Sequence, residues 1–319
     1  MVRIVFFGTP VFAVPTLARL LTSPHPIVGV VTQPDRPRGR GQHVTESPVK
    51  QLAVSRGLPI AQPEKMKDPA FLTTLMAWEP DLGVVAAYGK ILPEAVLSAP
   101  RLGILNVHAS LLPKYRGAAP VHRAVIAGEK ETGVTLIRLV REMDAGPMLK
   151  RSARPIRPDE TSDVVERDLA ELGADVLLEG VSEIDAGTVR EEPQDHAQAT
   201  FAPRLTKEDG LIDWTRPAGA IHNLVRGLHP WPLAFSFLGT ARVLILRTAV
   251  VGRDASDRAA APGQILEAHG DRLIVAARDE SALAIHEIQP EGRRRLTARE
   301  FLAGHRLAVG ATFSSAPAS

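Results

Sequence analysis

Asn106, His108 and Ser110 stand two residues apart in the run Asn106-Val107-His108-Ala109-Ser110-Leu111-Leu112-Pro113. Alternate side chains of an extended chain share a face, so an amide, an imidazole and a hydroxyl can converge on one side. The run follows apolar residues 102–105, which read as the end of a buried strand. Open α/β sheets bind ligands at the carboxyl ends of their strands, and donors gathered there suit the polarisation of a carbonyl. A lone histidine in a core more often serves packing alone. Here three polar groups alternate off one apolar strand, which solubility does not require.

A carboxylate could join them. Glu142-Met143-Asp144-Ala145-Gly146 follows an apolar stretch at 133–140 and places a lone acid before glycine. The plain reading is a turn aspartate bonded to its own backbone. If its strand lies beside the one carrying His108, Asp144 would instead orient the imidazole. A third segment is basic: Gln33-Pro34-Asp35-Arg36-Pro37-Arg38-Gly39-Arg40-Gly41-Gln42-His43. Such a loop cannot bury itself. Arg36, Arg38 and Arg40, spaced by Pro and Gly, suit phosphate or RNA contacts, against the alternative of a solvated connection. Arg293-Arg294-Arg295 with Arg299 would extend a basic track or form a solvated turn. The opening Val5-Phe6-Phe7-Gly8-Thr9-Pro10 occupies a dinucleotide-binding position but lacks G-x-G-x-x-G, and Pro10 removes an amide donor. A tight strand-to-helix turn is the simpler reading, and a nicotinamide oxidoreductase is disfavoured.

The elements that must position these groups alternate through the first half. Strands are expected at residues 2–7, 27–32, 58–62, 82–87, 104–108 and 134–140. Ser47-Pro48 and Asp68-Pro69 read as N-caps followed by proline at the first helical position, and Gly57 as a stop. Val165, Leu169, Leu172 and Val176 mark the buried stripe of a later helix. The fold class expected is α/β, a Rossmann-like and mostly parallel sheet, followed by a small C-terminal β-barrel of OB-like type. Domain boundaries are expected at 1–189 for the first domain, 190–208 for a polar linker containing Glu191-Glu192-Pro193-Gln194-Asp195-His196-Ala197-Gln198, 209–308 for the barrel and 309–319 for a frayed tail. A helix is expected at 218–226 and another from Thr297 to about His305.

At 319 residues two domains are the natural expectation, and 45% hydrophobic with 23% charged residues excludes a disordered chain. No apolar run reaches the roughly 18 residues of a membrane span. The N-terminus enters a strand without a signal-peptide pattern. The sequence has no cysteine, which excludes disulfides and thiol nucleophiles and fits a cytoplasmic location. The formal charge of +2 makes no case for nucleic acid by itself; the clustering of arginine does.

The central run, Arg116-Gly117-Ala118-Ala119-Pro120, Glu131-Thr132-Gly133-Val134-Thr135 and Asp144-Ala145-Gly146 resemble the folate-dependent formyltransferases. Phe7-Gly8-Thr9-Pro10, the arginine loop, Leu205-Thr206-Lys207-Glu208-Asp209, Ile212-Asp213-Trp214 and Pro230-Trp231-Pro232 resemble the branch acting on methionyl-tRNA. The resemblance runs to about His305, and Ala109 departs from it where relatives often carry glycine. It implies transfer of the formyl group of 10-formyltetrahydrofolate to the α-amine of methionyl initiator tRNA. Asn106, His108 and Asp144 match the catalytic trio. Ser110, Leu111, Leu112 and Pro113 match the folate-contacting segment, and Tyr88, Ile91 and Leu92 lie where the pterin is held. Arg36, Arg38, Arg40 and Lys207 match the tRNA-facing positions. No metal is implied, no membrane partner is expected, and a monomer is expected. A sugar-nucleotide N-formyltransferase and a non-catalytic tRNA-binding protein are the alternatives.

Overall fold

The computed structural model describes residues 1–38, 43–253, 259–278 and 280–317. Two compact units interleave along the chain. The first holds Met1–Pro120, Glu131–Pro155 and Glu166–Ala202, and the second Val121–Lys130, Ile156–Val165 and Pro203–Ser319.

The first unit contains strands β1 (Ile4–Gly8), β2 (Ile27–Val31), β3 (Arg36–Arg38), β4 (His43–Thr45), β5 (Ile60–Ala61), β6 (Leu82–Ala86), β7 (Ile104–His108), β8 (Arg116–Gly117), β9 (Glu131–Arg138), β10 (Met148–Pro155) and β11 (Phe201–Ala202). Seven of them form one sheet in the order β10-β9-β7-β6-β1-β2-β5. Pairing is parallel from β5 to β7, whereas β9 runs antiparallel to β7 and β10 antiparallel to β9. The strands β1, β6 and β7 are buried along their whole length. Continuous apolar runs of this kind arise where helices cover both faces of a parallel sheet.

Helices of this unit begin where the sequence places caps. Ser47 accepts from the Lys50 amide at 3.1 Å ahead of α1 (Pro48–Ser55), and Gly57 follows it at φ 64°. Asp68 accepts from the Ala70 amide at 3.0 Å ahead of α2 (Pro69–Ala77). The long helix α3 (Ser162–Ala186) buries Val165, Leu169 and Val176 as its period requires.

Three expectations are corrected. The strand expected at 134–140 begins at Glu131 and ends at Arg138; the Leu139 amide still donates to Ile104 O at 2.8 Å, but Val140 is exposed. The strand β10 was not expected. Lys150 and Arg154 turn toward α3, where they pair with Glu183 and Asp168, and these charges hid a weak alternation that begins with buried Met148. The segment expected as a linker is not a passive connection over its first part. Gln194 is buried, and β11 pairs with β8 in parallel.

The second unit is built on β12 (Ala234–Leu238), β13 (Ala241–Gly252), β14 (Ile265–His269), β15 (Arg272–Ala276), β16 (Ser281–Pro290), β17 (Leu296–Thr297) and β18 (Phe313–Ser314). They make an antiparallel sheet in the order β14-β15-β16-β13-β12-β18, with β17 on β16. The sheet curls until its edges meet. Ile265 donates to Ala311 O at 2.8 Å and Phe313 to Gly263 O at 2.8 Å. Trp214, Ile221, Val243, Ile245, Leu283, Phe301 and Phe313 are buried within this unit. The helix α4 (Ala218–Gly227) packs on β13, and α5 (Ala298–Gly304) starts from a capping box of Thr297 and Glu300. That box holds the Glu300 carboxyl down at about 2, chiefly through the Thr297 amide. Among the described residues no helix is long and apolar enough to cross a membrane.

Candidate active site

The carboxyl edge of the first unit's sheet is level across four parallel strands. Phe7 pairs with Val31 and with Val85, and Val85 pairs with Asn106. The segments leaving β1, β2, β6 and β7 therefore emerge on one edge, where such sheets place ligands. On the other side of β7, His108 pairs with Thr135 of β9. The chain leaving β9 at Arg138 reaches Asp144 six residues later, so the acid returns beside the histidine.

His108 and Asp144 meet across the end of the sheet. His108 is 6% exposed and Asn106 9% exposed. His108 Nε2 lies 3.1 Å from the Tyr115 carbonyl, which can only accept, so Nε2 carries the proton and donates. That fixes Nδ1 as the atom facing Asp144 Oδ2, at 3.7 Å. The carboxylate accepts from the Gly117 amide at 2.8 Å through the same Oδ2. Asp144 itself adopts φ 50°, which Asp tolerates better than most residues but which neighbours must hold in place. Two glycines permit this packing. A Cβ at Gly146 would lie 1.8 Å from Arg138 O, and Gly117, at φ 122°, would bring one to 2.7 Å from Ala202 O.

Among the described residues the Asn106 side-chain amide makes no hydrogen bond. Asn106 is thus the one member of the trio whose donors are uncommitted.

The positions expected to face folate separate into two kinds. Ser110 is fully buried, and its hydroxyl donates to Lys114 O at 2.7 Å. Its backbone carbonyl accepts from Thr135 Oγ1 at 2.7 Å, and Thr135 Oγ1 accepts from the Leu112 amide at 3.1 Å. Ser110 to Pro113 is thereby pinned to β9, with Leu112 in a small cluster with Ile137 and Met148. The hydroxyl shapes the turn and is not aimed outward. The segment after β6 is braced from its neighbours. Tyr88 O accepts from Thr9 Oγ1 at 3.2 Å and from Gln33 Nε2 at 2.9 Å. The Tyr88 ring is buried against Phe7, its hydroxyl meets Met66 Sδ at 3.1 Å, and burial pushes the phenol above its usual range. Leu92 is 9% exposed and Ile91 is 91% exposed. Of these three, Ile91 offers the apolar surface, while Tyr88 supplies backbone and core packing. Lys90 Nζ donates to Pro63 O at 2.6 Å and Glu64 O at 2.8 Å, with its ammonium lowered by burial and by nearby Arg36.

Of the basic positions, Arg36 is exposed on β3, which pairs with β4 as a two-stranded hairpin. Arg38 ends β3, and Arg40 lies outside the described residues. Lys207 is exposed in the second unit, at the N-cap of a short 3-10 turn, Glu208–Gly210.

Sequence reasoning missed Gln194 and the side chain of Arg116, both buried beside Asp144. Gln194 sits in a polar, aperiodic run, so no spacing marks it; only the fold brings residue 194 to residue 144.

The family model for formyl transferase matches residues 2–181, and the model for the formyl transferase C-terminal domain matches residues 204–306. The chain is 48% identical over 305 residues to the methionyl-tRNA formyltransferase of Desulfotalea psychrophila, covering 96% of this chain and 93% of that one. It is 47% identical over 309 residues to the methionyl-tRNA formyltransferase of Caldanaerobacter subterraneus, covering 97% and 98%. Among solved structures, the sugar 3N-formyltransferase WlaRD with dTDP and 5-N-formyl-THF matches with a TM-score of 0.67 at 16% identity, over 92% of this chain and 99% of that one. HypX from Aquifex aeolicus in complex with tetrahydrofolic acid matches with a TM-score of 0.61 at 18% identity, over 94% of this chain and 47% of that longer one. At these identities the two structures speak for the fold alone.

Proposed function

We propose a function from a plain premise: the chain belongs to the formyl transferase family. It moves the formyl group of 10-formyltetrahydrofolate to the α-amino group of methionyl initiator tRNA. The observation that carries this reading is relatedness across both units to enzymes named for that reaction, with Asn106, His108 and Asp144 gathered at one sheet edge. The surroundings fit the formyl donor: an Asn106 amide without a hydrogen bond among the described residues, exposed apolar surface at Ile91, and a turn at 110–113 pinned to β9.

The folate supplies an activated formyl group when bound. An α-amino group titrates near pH 8, and esterification lowers it, so a nucleophilic serine is not required. Asn106 offers its N–H to the formyl oxygen as negative charge gathers there. Asp144 faces Nδ1 of His108, the ring nitrogen left free to accept, and this pair takes up the proton that the attacking amine sheds and returns it to the departing nitrogen. Ser110, committed to Lys114 O, keeps the turn in shape. Arg36, Arg38, Arg40 and Lys207 meet the phosphates of the acceptor. The absence of cysteine fits work in the reducing cytoplasm.

The test is transfer of labelled formyl from 10-formyltetrahydrofolate to initiator and elongator methionyl-tRNA. Transfer to the initiator species is expected; none to either overturns the reading. The fold likeness to a sugar formyltransferase makes amino-sugar nucleotides the control acceptor, and transfer to them alone would select that alternative.

A further inference from the structure

We propose that Gln194 is a positioning residue for the reaction, holding Asp144 in register with His108. The inference rests on the role given to Asp144 above. Gln194 is 5% exposed, and its amide is fully used. Nε2 donates to Asp144 O at 2.8 Å and to Gly146 O at 2.7 Å. Oε1 accepts from Arg116 Nε at 3.1 Å and from its Nη2 at 2.6 Å. Two donors and two lone pairs are thus matched by four partners, the most a primary amide can satisfy.

Those partners are the two walls of the proton-handling pair. One is the backbone on either side of Ala145, where Asp144 sits at φ 50°. The other is Arg116, 6% exposed, flanked by Tyr115, whose carbonyl accepts from His108 Nε2, and Gly117, whose amide donates to Asp144 Oδ2. Arg116 Nη2 also meets His196 Nδ1 at 3.0 Å. One side chain therefore clamps the loop that carries the acid to the strand that orients the imidazole. Without it, the Asp144 and Gly146 carbonyls lose a donor and the buried Arg116 guanidinium loses an acceptor, which weakens the hold on Asp144 in the left-handed conformation.

The experiment is a double-mutant cycle in the full chain. Gln194→Glu keeps a partner for Arg116 and loses both donors; Gln194→Met loses both without adding charge. Each should lower kcat for formyl transfer about tenfold or more and change KM for the folate less than about twofold. In an Asp144→Asn background the same substitutions should cost less than about a further twofold, because the group they position no longer acts. Unchanged kcat in both single variants, or the full loss repeated in the Asp144→Asn background, overturns the proposal. Hydrogen exchange of the Gly117 amide gives a reading independent of turnover. It should accelerate about tenfold or more in Gln194→Met, or in Gln194→Glu if the former does not fold; unchanged exchange also overturns the proposal. If the unaltered chain formylates no methionyl-tRNA, the proposed function fails, while Gly117 exchange still decides the case of Gln194.

Discussion

Two polar side chains four residues apart, Asn106 on β7 and Ser110 just beyond it, carry different burdens. Among the described residues the Asn106 amide makes no hydrogen bond, whereas Ser110 is spent on its own turn. Their substitutions should therefore separate. Asn106→Ala should lower kcat about a hundredfold, the usual consequence of removing a donor to developing oxyanion charge, with little change in folate affinity. Single-turnover rates beside equilibrium folate binding check this, and equal losses in both would remove Asn106 from the chemistry. Ser110→Ala leaves Lys114 O without its side-chain donor in a part-buried place. It should cost about 1 kcal/mol of stability in denaturant titration. Its turnover should stay within several-fold of the parent; a loss as deep as that of Asn106→Ala would give the hydroxyl a direct role.

Elements decide where the basic hairpin points. Its root is a clamp: Lys50 of α1 pairs with Asp35, Lys50 Nζ lies 3.1 Å from Glu46, and Gln62 Nε2 reaches Gln33 O at 3.0 Å and Asp35 Oδ1 at 2.8 Å. Lys50 and then Gln62 hold the Asp35 carboxyl below its ordinary value, and Asp35 and then Glu46 hold the Lys50 ammonium above its own. A lowered acid contributes above its unfolded value, near 3.8, and that contribution is lost as pH falls through the lower folded one. A raised amine contributes below its unfolded value, near 10.5, and is lost as pH rises through the higher folded one. The clamp is thus closed across neutral pH and opens in acid or strong base. Lys50→Met should raise KM for methionyl-tRNA several-fold and leave folate KM unchanged; an unchanged tRNA KM would detach the clamp from acceptor binding.

At the scale of the molecule, basic groups proposed to meet the acceptor lie in both compact units: Arg36 in the first and Lys207 in the second. Net charge is only +2, so long-range attraction by the whole chain is weak, and local phosphate contacts must carry binding. KM for methionyl-tRNA should then climb steeply with salt, with a linear log–log slope counting the contacts, while folate KM stays nearly flat. A flat tRNA response would remove the basic track from the account.

Local rules made much of this protein legible from its sequence alone. Proline after Ser47 and Asp68 marked helix starts because a cap and a fixed φ are properties of neighbouring residues. Apolar runs marked the buried strands, and alternation placed Asn106 and His108 on one face, since side-chain direction in a strand follows from chain geometry. The edge strand Met148–Pro155 escaped because Lys150, Arg151 and Arg154 read as a solvated loop, although Lys150 and Arg154 pair with acids of α3. Tyr88 was placed by motif but turns its ring into the core, a choice made by packing against Phe7 and Met66. What no local rule could supply was the meeting of residues 108, 116, 144 and 194. Asp144 reaches His108 only because β9 lies beside β7, and Gln194 reaches Asp144 only after the chain has crossed α3 and returned. Residue types were set by the sequence, but hydrogen bonds act over about 3 Å, and separations of up to 86 positions are closed only by the tertiary fold.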